Sequence, residues 1–233
     1  MHYLYLLINL FSFLPTFLFS FHPKIKFYQW WPRLIPSILL VAAAFIAWDV
    51  YYTYIGVWGF NPSYLTGFFI GNLPFEEILF FFCIPYACLF TYFCINLMIK
   101  KDYLKKSEKS ITLILIVGLT LSAFFFYPAK YTTATFFLLS VILFLLQFII
   151  RVAWLSRFYF AYLFLLIPFL IVNGILTGTG IENPVVWYNP NEMIGLRLLS
   201  IPVEDIFYGL LMLISSVFLF ETALRKNKQA NMK

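Results

Sequence analysis

The chain has 233 residues, 63% of them apolar and only 11% charged, with a mean hydropathy of +0.88, a balance that excludes an ordinary soluble domain. Its formal net charge of +6 does not indicate a nucleic-acid surface either. The basic residues are dispersed between apolar segments rather than gathered into one patch.

Crossing a bilayer takes about 20 predominantly apolar residues, and the sequence predicts seven such spans, at roughly 3–20, 34–56, 75–99, 111–127, 132–151, 158–178 and 204–224. The expected fold is therefore all-α, a polytopic membrane protein. Pro15 interrupts the first span, but membrane helices tolerate proline. That segment lacks the basic leader and small-residue cleavage site of a secretory signal, so it is expected to persist as a helix. Assigning the loops alternately to two sides leaves only Lys130 and Arg197, of 16 Lys and Arg, on one of them. By the positive-inside rule the C-terminus is expected in the cytoplasm and the N-terminus outside, in a bacterial inner membrane.

The second span ends on Trp48-Asp49, an acid that is hard to place as surface decoration in an apolar helix. The third contains Cys83, Cys88 and Cys94 without a Cys-x-x-Cys or Cys/His cluster. They read as buried inert thiols, neither a disulfide framework nor a zinc site. A basic loop and the fourth span follow. Val172-Asn173, near the end of the sixth, resembles Trp48-Asp49 once a four-residue gap is allowed. Asp49 suits either a buried hydrogen-bonded acid or a catalytic one, and Asn173 suits orienting a partner.

A longer polar block occurs twice, 128 residues apart. The first copy is Phe60-Asn61-Pro62-Ser63-Tyr64-Leu65-Thr66-Gly67, leading to Pro74-Phe75-Glu76-Glu77. The second is Tyr188-Asn189-Pro190-Asn191-Glu192-Met193-Ile194-Gly195, leading to Pro202-Val203-Glu204-Asp205. The organisation that follows is a 3+1+3 parallel repeat: 1–99 as repeat one, 100–130 as a basic loop with the connecting helix, 131–224 as repeat two and 225–233 as a basic tail. Because the repeats are offset by an even number of spans, both acidic pairs belong at one leaflet.

In each copy proline suits the first turn of a helix, and the acids behind it face the positive end of the helix dipole. Neighbouring helical residues point about 100° apart, so one acid of each pair faces the bundle and the other a loop or headgroup. Glu76 and Glu204, identical in both copies, are expected to be the inward pair. Trp58, Tyr188 and Tyr208 belong to an aromatic cluster around these motifs, and ring faces attract cations.

Together the paired Pro-x-Glu-[Glu/Asp] motifs, the Asn-Pro blocks, Trp48-Asp49 and Leu176-Thr177-Gly178 resemble the lycopene cyclase domain of carotenoid biosynthesis. The type in question is the small membrane form found as two subunits in some actinobacteria and fused to phytoene synthase in fungi. The likeness covers nearly the whole chain, with both repeats in one polypeptide. It implies a redox-neutral cyclisation of lycopene through a carbocation to gamma- and beta-carotene. Glu76 and Glu204 would be the principal acid/base residues, with Glu77, Asp205 and Asp49 next. Trp48, Asn61, Trp58, Asn173, Asn189 and Tyr208 would line the substrate. It also implies carotenoid polyenes and the lipid bilayer as partners, and leaves open a homo-oligomer or contacts with other carotenoid-pathway enzymes.

No metal is expected. No Gly-x-Gly-x-x-Gly follows a strand, so a soluble-type dinucleotide domain is excluded, while a flavin or nicotinamide bound without that motif stays open. The competing reading is a small proton-coupled transporter of the same 3+1+3 architecture.

Overall fold

The computed structural model describes residues 2–230; the side chains from residue 225 onward, and with them the basic end of the chain, lie outside the described residues. Helices α1 (Leu4–Phe19), α2 (Trp31–Tyr54), α3 (Phe75–Met98), α4 (Glu108–Phe125), α5 (Lys130–Phe144), α6 (Leu155–Leu176) and α7 (Val203–Ala230) account for nearly all the regular structure. Six segments, all but α1, are long and apolar enough to cross a membrane. With 16 residues, α1 rises only ~24 Å, short of a hydrocarbon core of about 30 Å.

Two helices hold the bundle together. α1, α2 and α6 pack on α3, while α2, α5 and α6 pack on α7, and α3 meets α7. α4 lies outside this arrangement against α5. The core is correspondingly continuous from Leu34 and Ile38 of α2 through Phe81 and Leu89 of α3 to Leu211 and Ile214 of α7. At its far end α5 loosens into a π-helical turn, Leu145–Ile149, where buried Gln147 accepts a hydrogen bond from Thr112 of α4 at 3.2 Å.

Six short strands, which hydropathy does not reveal, organise the other end. β1 (Trp58–Phe60) pairs antiparallel with β4 (Val186–Tyr188), in the register Trp58↔Tyr188, Gly59↔Trp187 and Phe60↔Val186. This ribbon joins the two repeats, and a pseudo-two-fold axis passes through its central pair. On either side Asn61 donates its backbone N–H to Val185 and Asn189 donates its own to Val57, both at 2.8 Å. A Cβ on Gly59 would collide with the Trp187 ring, so this close approach depends on glycine.

Each repeat adds a hairpin, β2 (Phe69–Ile70) with β3 (Leu73–Pro74) and β5 (Arg197–Leu198) with β6 (Ile201–Pro202). Their registers correspond residue for residue at the same offset of 128. Pro74 and Pro202 thus end strands rather than open the first helical turn, and α3 and α7 begin on the residue that follows each of them.

Candidate active site

An elongated cavity of about 660 Å³ lies between α1, α3, α6 and α7. Along α3 its wall runs from Glu77 to Thr91, a rise of ~21 Å at ~1.5 Å per residue. Most of the wall is apolar, but the end beneath the β1–β4 ribbon carries three buried carboxyls, Asp49 of α2, Glu77 of α3 and Asp205 of α7. Ionisable groups at such depth are costly and mark function.

Each carboxyl has its own hydrogen-bond environment. Asp205 accepts from Tyr131 Oη at 2.6 Å on one oxygen, and from Asn173 Nδ2 at 2.7 Å and Tyr188 Oη at 2.9 Å on the other. Glu77 accepts from Tyr5 Oη at 2.5 Å. Asp49 accepts from the Trp58 indole on Oδ1, while its buried Oδ2 has no partner among the described residues. Three donors therefore fix Asp205 as a hydrogen-bond acceptor, whereas a proton on Asp49 Oδ2 would displace no existing bond.

Aromatic rings enclose these acids. Tyr131 and Tyr188 stack at 5.9 Å, Trp58 meets Tyr131 edge-on at 5.1 Å, and Tyr208 stands 6.2 Å from Trp58. The Tyr208 hydroxyl is buried without a partner among the described residues. Burial first, and then the neighbouring Asp205, push the Tyr188 hydroxyl well above its usual range, so it remains a donor.

Glu76 and Glu204, expected to face inward, instead turn toward the loops, and neither lines the cavity. Glu76 Oε1 accepts the Thr66 backbone N–H at 2.6 Å, and Glu204 Oε1 accepts the Ile194 N–H at 2.7 Å. Glu204 also receives the Thr132 hydroxyl at 2.6 Å. The reason is local: each Asn-Pro block folds back over the first turn of its helix, and the first acid of the pair is the one beneath it. The paired acids do diverge around the helix as expected, but with the inner and outer members exchanged.

Trp58, Asn173 and Tyr208 line the cavity, as Asp49 does; Trp48, Asn61 and Asn189 do not. Asn61 and Asn189 each cap a short 3-10 turn, accepting the backbone N–H of Ser63 at 3.0 Å and of Asn191 at 3.1 Å. The local cap occupies the side-chain oxygen at both positions. Trp48 borders a separate crevice between α2 and α5.

Tyr5, Tyr131 and Asn9 are absent from the sequence-derived site. Asn9 Nδ2 donates to the Glu76 carbonyl at 2.8 Å. A visible signal exists, since Tyr5 and Tyr131 stand one residue into α1 and α5, 126 residues apart, close to the offset of the main repeat. Cys88 lines the cavity, whereas Cys83 and Cys94 stand elsewhere, all three as free thiols. Among the described residues no group of three or more His, Cys, Asp or Glu is arranged to hold a metal ion.

The family model described as "Lycopene cyclase" matches residues 2–95 and 128–223, one stretch for each repeat. No curated protein and no solved structure matches the chain.

Proposed function

The chain belongs to the lycopene cyclase family, and on that premise we propose that it is a lycopene beta-cyclase whose working groups are Asp49, Glu77 and Asp205. The observation that carries this reading is the convergence of these three acids at the aromatic head of one long apolar cavity. A substrate that is all hydrocarbon needs such a wall, and a reaction that only moves protons needs such a head.

In the proposed cycle an acid protonates the terminal double bond of the polyene. The tertiary cation that forms is attacked by the neighbouring alkene, closing the ring. A base then removes a ring proton to leave the cyclic alkene, so one proton enters and one leaves. Asp49, with one free buried oxygen, suits the donor, and Glu77 stands beside it in the same role or as its proton source. Asp205, fixed as an acceptor by three donors, suits the base. Acids placed in different environments divide such roles. The faces of Trp58, Tyr131 and Tyr208 stabilise positive charge, each by about 0.5–2 kcal/mol.

Glu76 and Glu204 act in this reading as positioning residues that clamp the Asn-Pro loops. The site faces the non-cytoplasmic side of a bacterial inner membrane, with the N-terminus outside, in keeping with the scarcity of Lys and Arg at that end. A proton-coupled transporter fits less well, because the acids head an apolar cavity instead of interrupting helices at midspan.

The test is pigment chromatography after expression in a lycopene-accumulating bacterium. Gamma- and beta-carotene are expected. Unchanged lycopene, with the protein verified in the membrane, overturns the reading.

A further inference from the structure

The two repeats correspond in helix order and hairpin register, so a gap between helices of one has a counterpart in the other. With α1, α2 and α3 corresponding to α5, α6 and α7, the gap between α1 and α6 corresponds to the gap between α5 and α2. The structure treats these two gaps differently.

The α1/α6 gap leads into the cavity. Leu7 and Phe11 of α1 and Ile171 of α6 line it while remaining 45%, 74% and 61% exposed. On a bundle surface surrounded by hydrocarbon, such residues form an edge shared by the cavity and the bilayer. Val172 lies beside that opening as part of the lining.

The α2/α5 gap holds a crevice bounded by Trp48, Tyr51 and Tyr52 of α2 and Ala134, Phe137 and Leu138 of α5. It ends on Trp48, which occupies the position of Val172 in the other repeat. The Trp48 ring meets Tyr52 edge-on at 5.6 Å and Tyr208 edge-on at 5.5 Å. Tyr208 is itself cavity wall. Trp48 packed on Tyr208, and Tyr52 packed on Trp58 at 5.0 Å, therefore separate the crevice from the acids, and no indole stands at the place equivalent to Trp48 on the α1/α6 side.

Resting on the cyclase reading above, we infer that a linear polyene enters sideways from the bilayer through the α1/α6 gap alone, and that Trp48 is the residue that closes the equivalent passage and makes the cavity blind. The occupant is set by shape and chemistry. The cavity extends ~21 Å along α3 and is mostly apolar away from its acidic head, so it accepts an extended hydrocarbon chain end-first. A fully extended lycopene outruns that length, and its remainder lies in the membrane. One end is thus presented to Asp49, Glu77 and Asp205 at a time. The second end is reached only after the chain withdraws and re-enters in the opposite sense.

The experiment measures retained lycopene in full-length protein purified from a lycopene-accumulating host, in an Asp205→Asn background so that turnover plays no part. Pigment per protein is read by absorbance. Val172→Trp is expected to lower it by at least about tenfold, a figure that corresponds to about 1.4 kcal/mol. Leu163→Trp, an exposed position on the same helix outside the cavity, is expected to retain the parent amount. The exchanged pair Val172→Trp with Trp48→Val is expected to regain binding through the α2/α5 side.

Full binding by Val172→Trp overturns the inference. Loss without recovery in the exchanged pair, when thermal melting shows that variant folded, overturns the role of Trp48. If the exchanged pair is unfolded, Ile171→Trp repeats the block at the neighbouring edge, and full binding there overturns the portal. The cyclase reading fails separately, when protein with the native residue at Asp205 retains lycopene but leaves it uncyclised.

Discussion

At the head of α3, Glu77 accepts one hydrogen bond, from Tyr5; at the head of α7, Asp205 accepts three, from Tyr131, Tyr188 and Asn173. The two carboxyls occupy equivalent places in the repeats, yet only the second has its lone pairs engaged on both oxygens. The partner of Asn173 in the first repeat is Asp49, which brings another carboxyl instead of a donor. Duplication therefore supplied the framework of a site, and divergence at a few positions made its halves chemically unlike. The proposed proton transfer to and from a hydrocarbon would use that difference, since identical acids would compete for one role.

The outer acids of the same pairs show the opposite behaviour. Glu76 and Glu204 make the same backbone contact in both repeats, within 0.1 Å of each other. Among these four acids, the pair facing the cavity differs in its partners, and the pair holding the loops shares its backbone contact.

The largest expected effects separate these classes. Asp205→Asn, Glu77→Gln and Asp49→Asn should each reduce turnover by about 10²- to 10⁴-fold, the range for lost acid–base groups. Glu76→Gln and Glu204→Gln keep the accepting Oε1 and should stay within a few-fold of the parent when normalised to folded protein. Carotenoid analysis against a membrane-protein blot measures both sets, and an equal loss in all five breaks the distinction drawn here.

A smaller effect tests the junction between the repeats. Gly59→Ala forces a Cβ toward the Trp187 ring and should destabilise the protein by about 1–3 kcal/mol through overpacking. A lowered melting temperature in detergent is the expected result. An unchanged one would mean that the ribbon yields at no cost.

The hairpin tips offer a comparison of opposite sign. Gly71 has φ +66° and its counterpart Leu199 has φ +58°. Left-handed backbone costs a side-chain-bearing residue roughly 1–2 kcal/mol, less the entropy that glycine adds to the unfolded chain. Leu199→Gly should therefore raise stability by about 1 kcal/mol, and Gly71→Leu should lower it by a similar amount. Equal and null shifts in the two melts would remove the strain assigned to Leu199.

The smallest effect concerns an ion pair that only the second repeat has. Lys130 reaches Glu192 at 2.7 Å, and its backbone N–H adds a bond at 3.0 Å. Desolvation raises the Glu192 carboxyl, but these hydrogen bonds and the Lys130 charge outweigh it, leaving the group below its usual value. Its folded form is thus favoured above the unfolded carboxylate pKa of about 4.3, and that contribution fades as pH falls through the lower folded value. Being within reach of water, it should amount to less than about 1 kcal/mol. Melting curves of Lys130→Ala and the parent should differ slightly at pH 7 and converge in acid.

The sequence by itself determined the membrane class, the all-helical architecture and the duplication, because hydropathy and a gapless repeat are properties of local order along the chain. It also carried the family, through motifs that stay adjacent in the sequence. It identified Asp49, Glu77 and Asp205 as candidates, since buried acids stand out in an apolar background. Which acid of each pair faces inward depended on the Asn-Pro loop folding back over the helix start, and two adjacent glutamates look alike until that loop is in place.

Tyr188 stood out beside its motif, but Tyr5 and Tyr131 were lost among 16 tyrosines; their near-repeat spacing acquires meaning only from the packing of α1 on α3 and α5 on α7. Trp48 was legible as a polar-layer neighbour of Asp49 but not as a partition. A wall exists only when both of its sides do, and those are built from helices far apart in the chain.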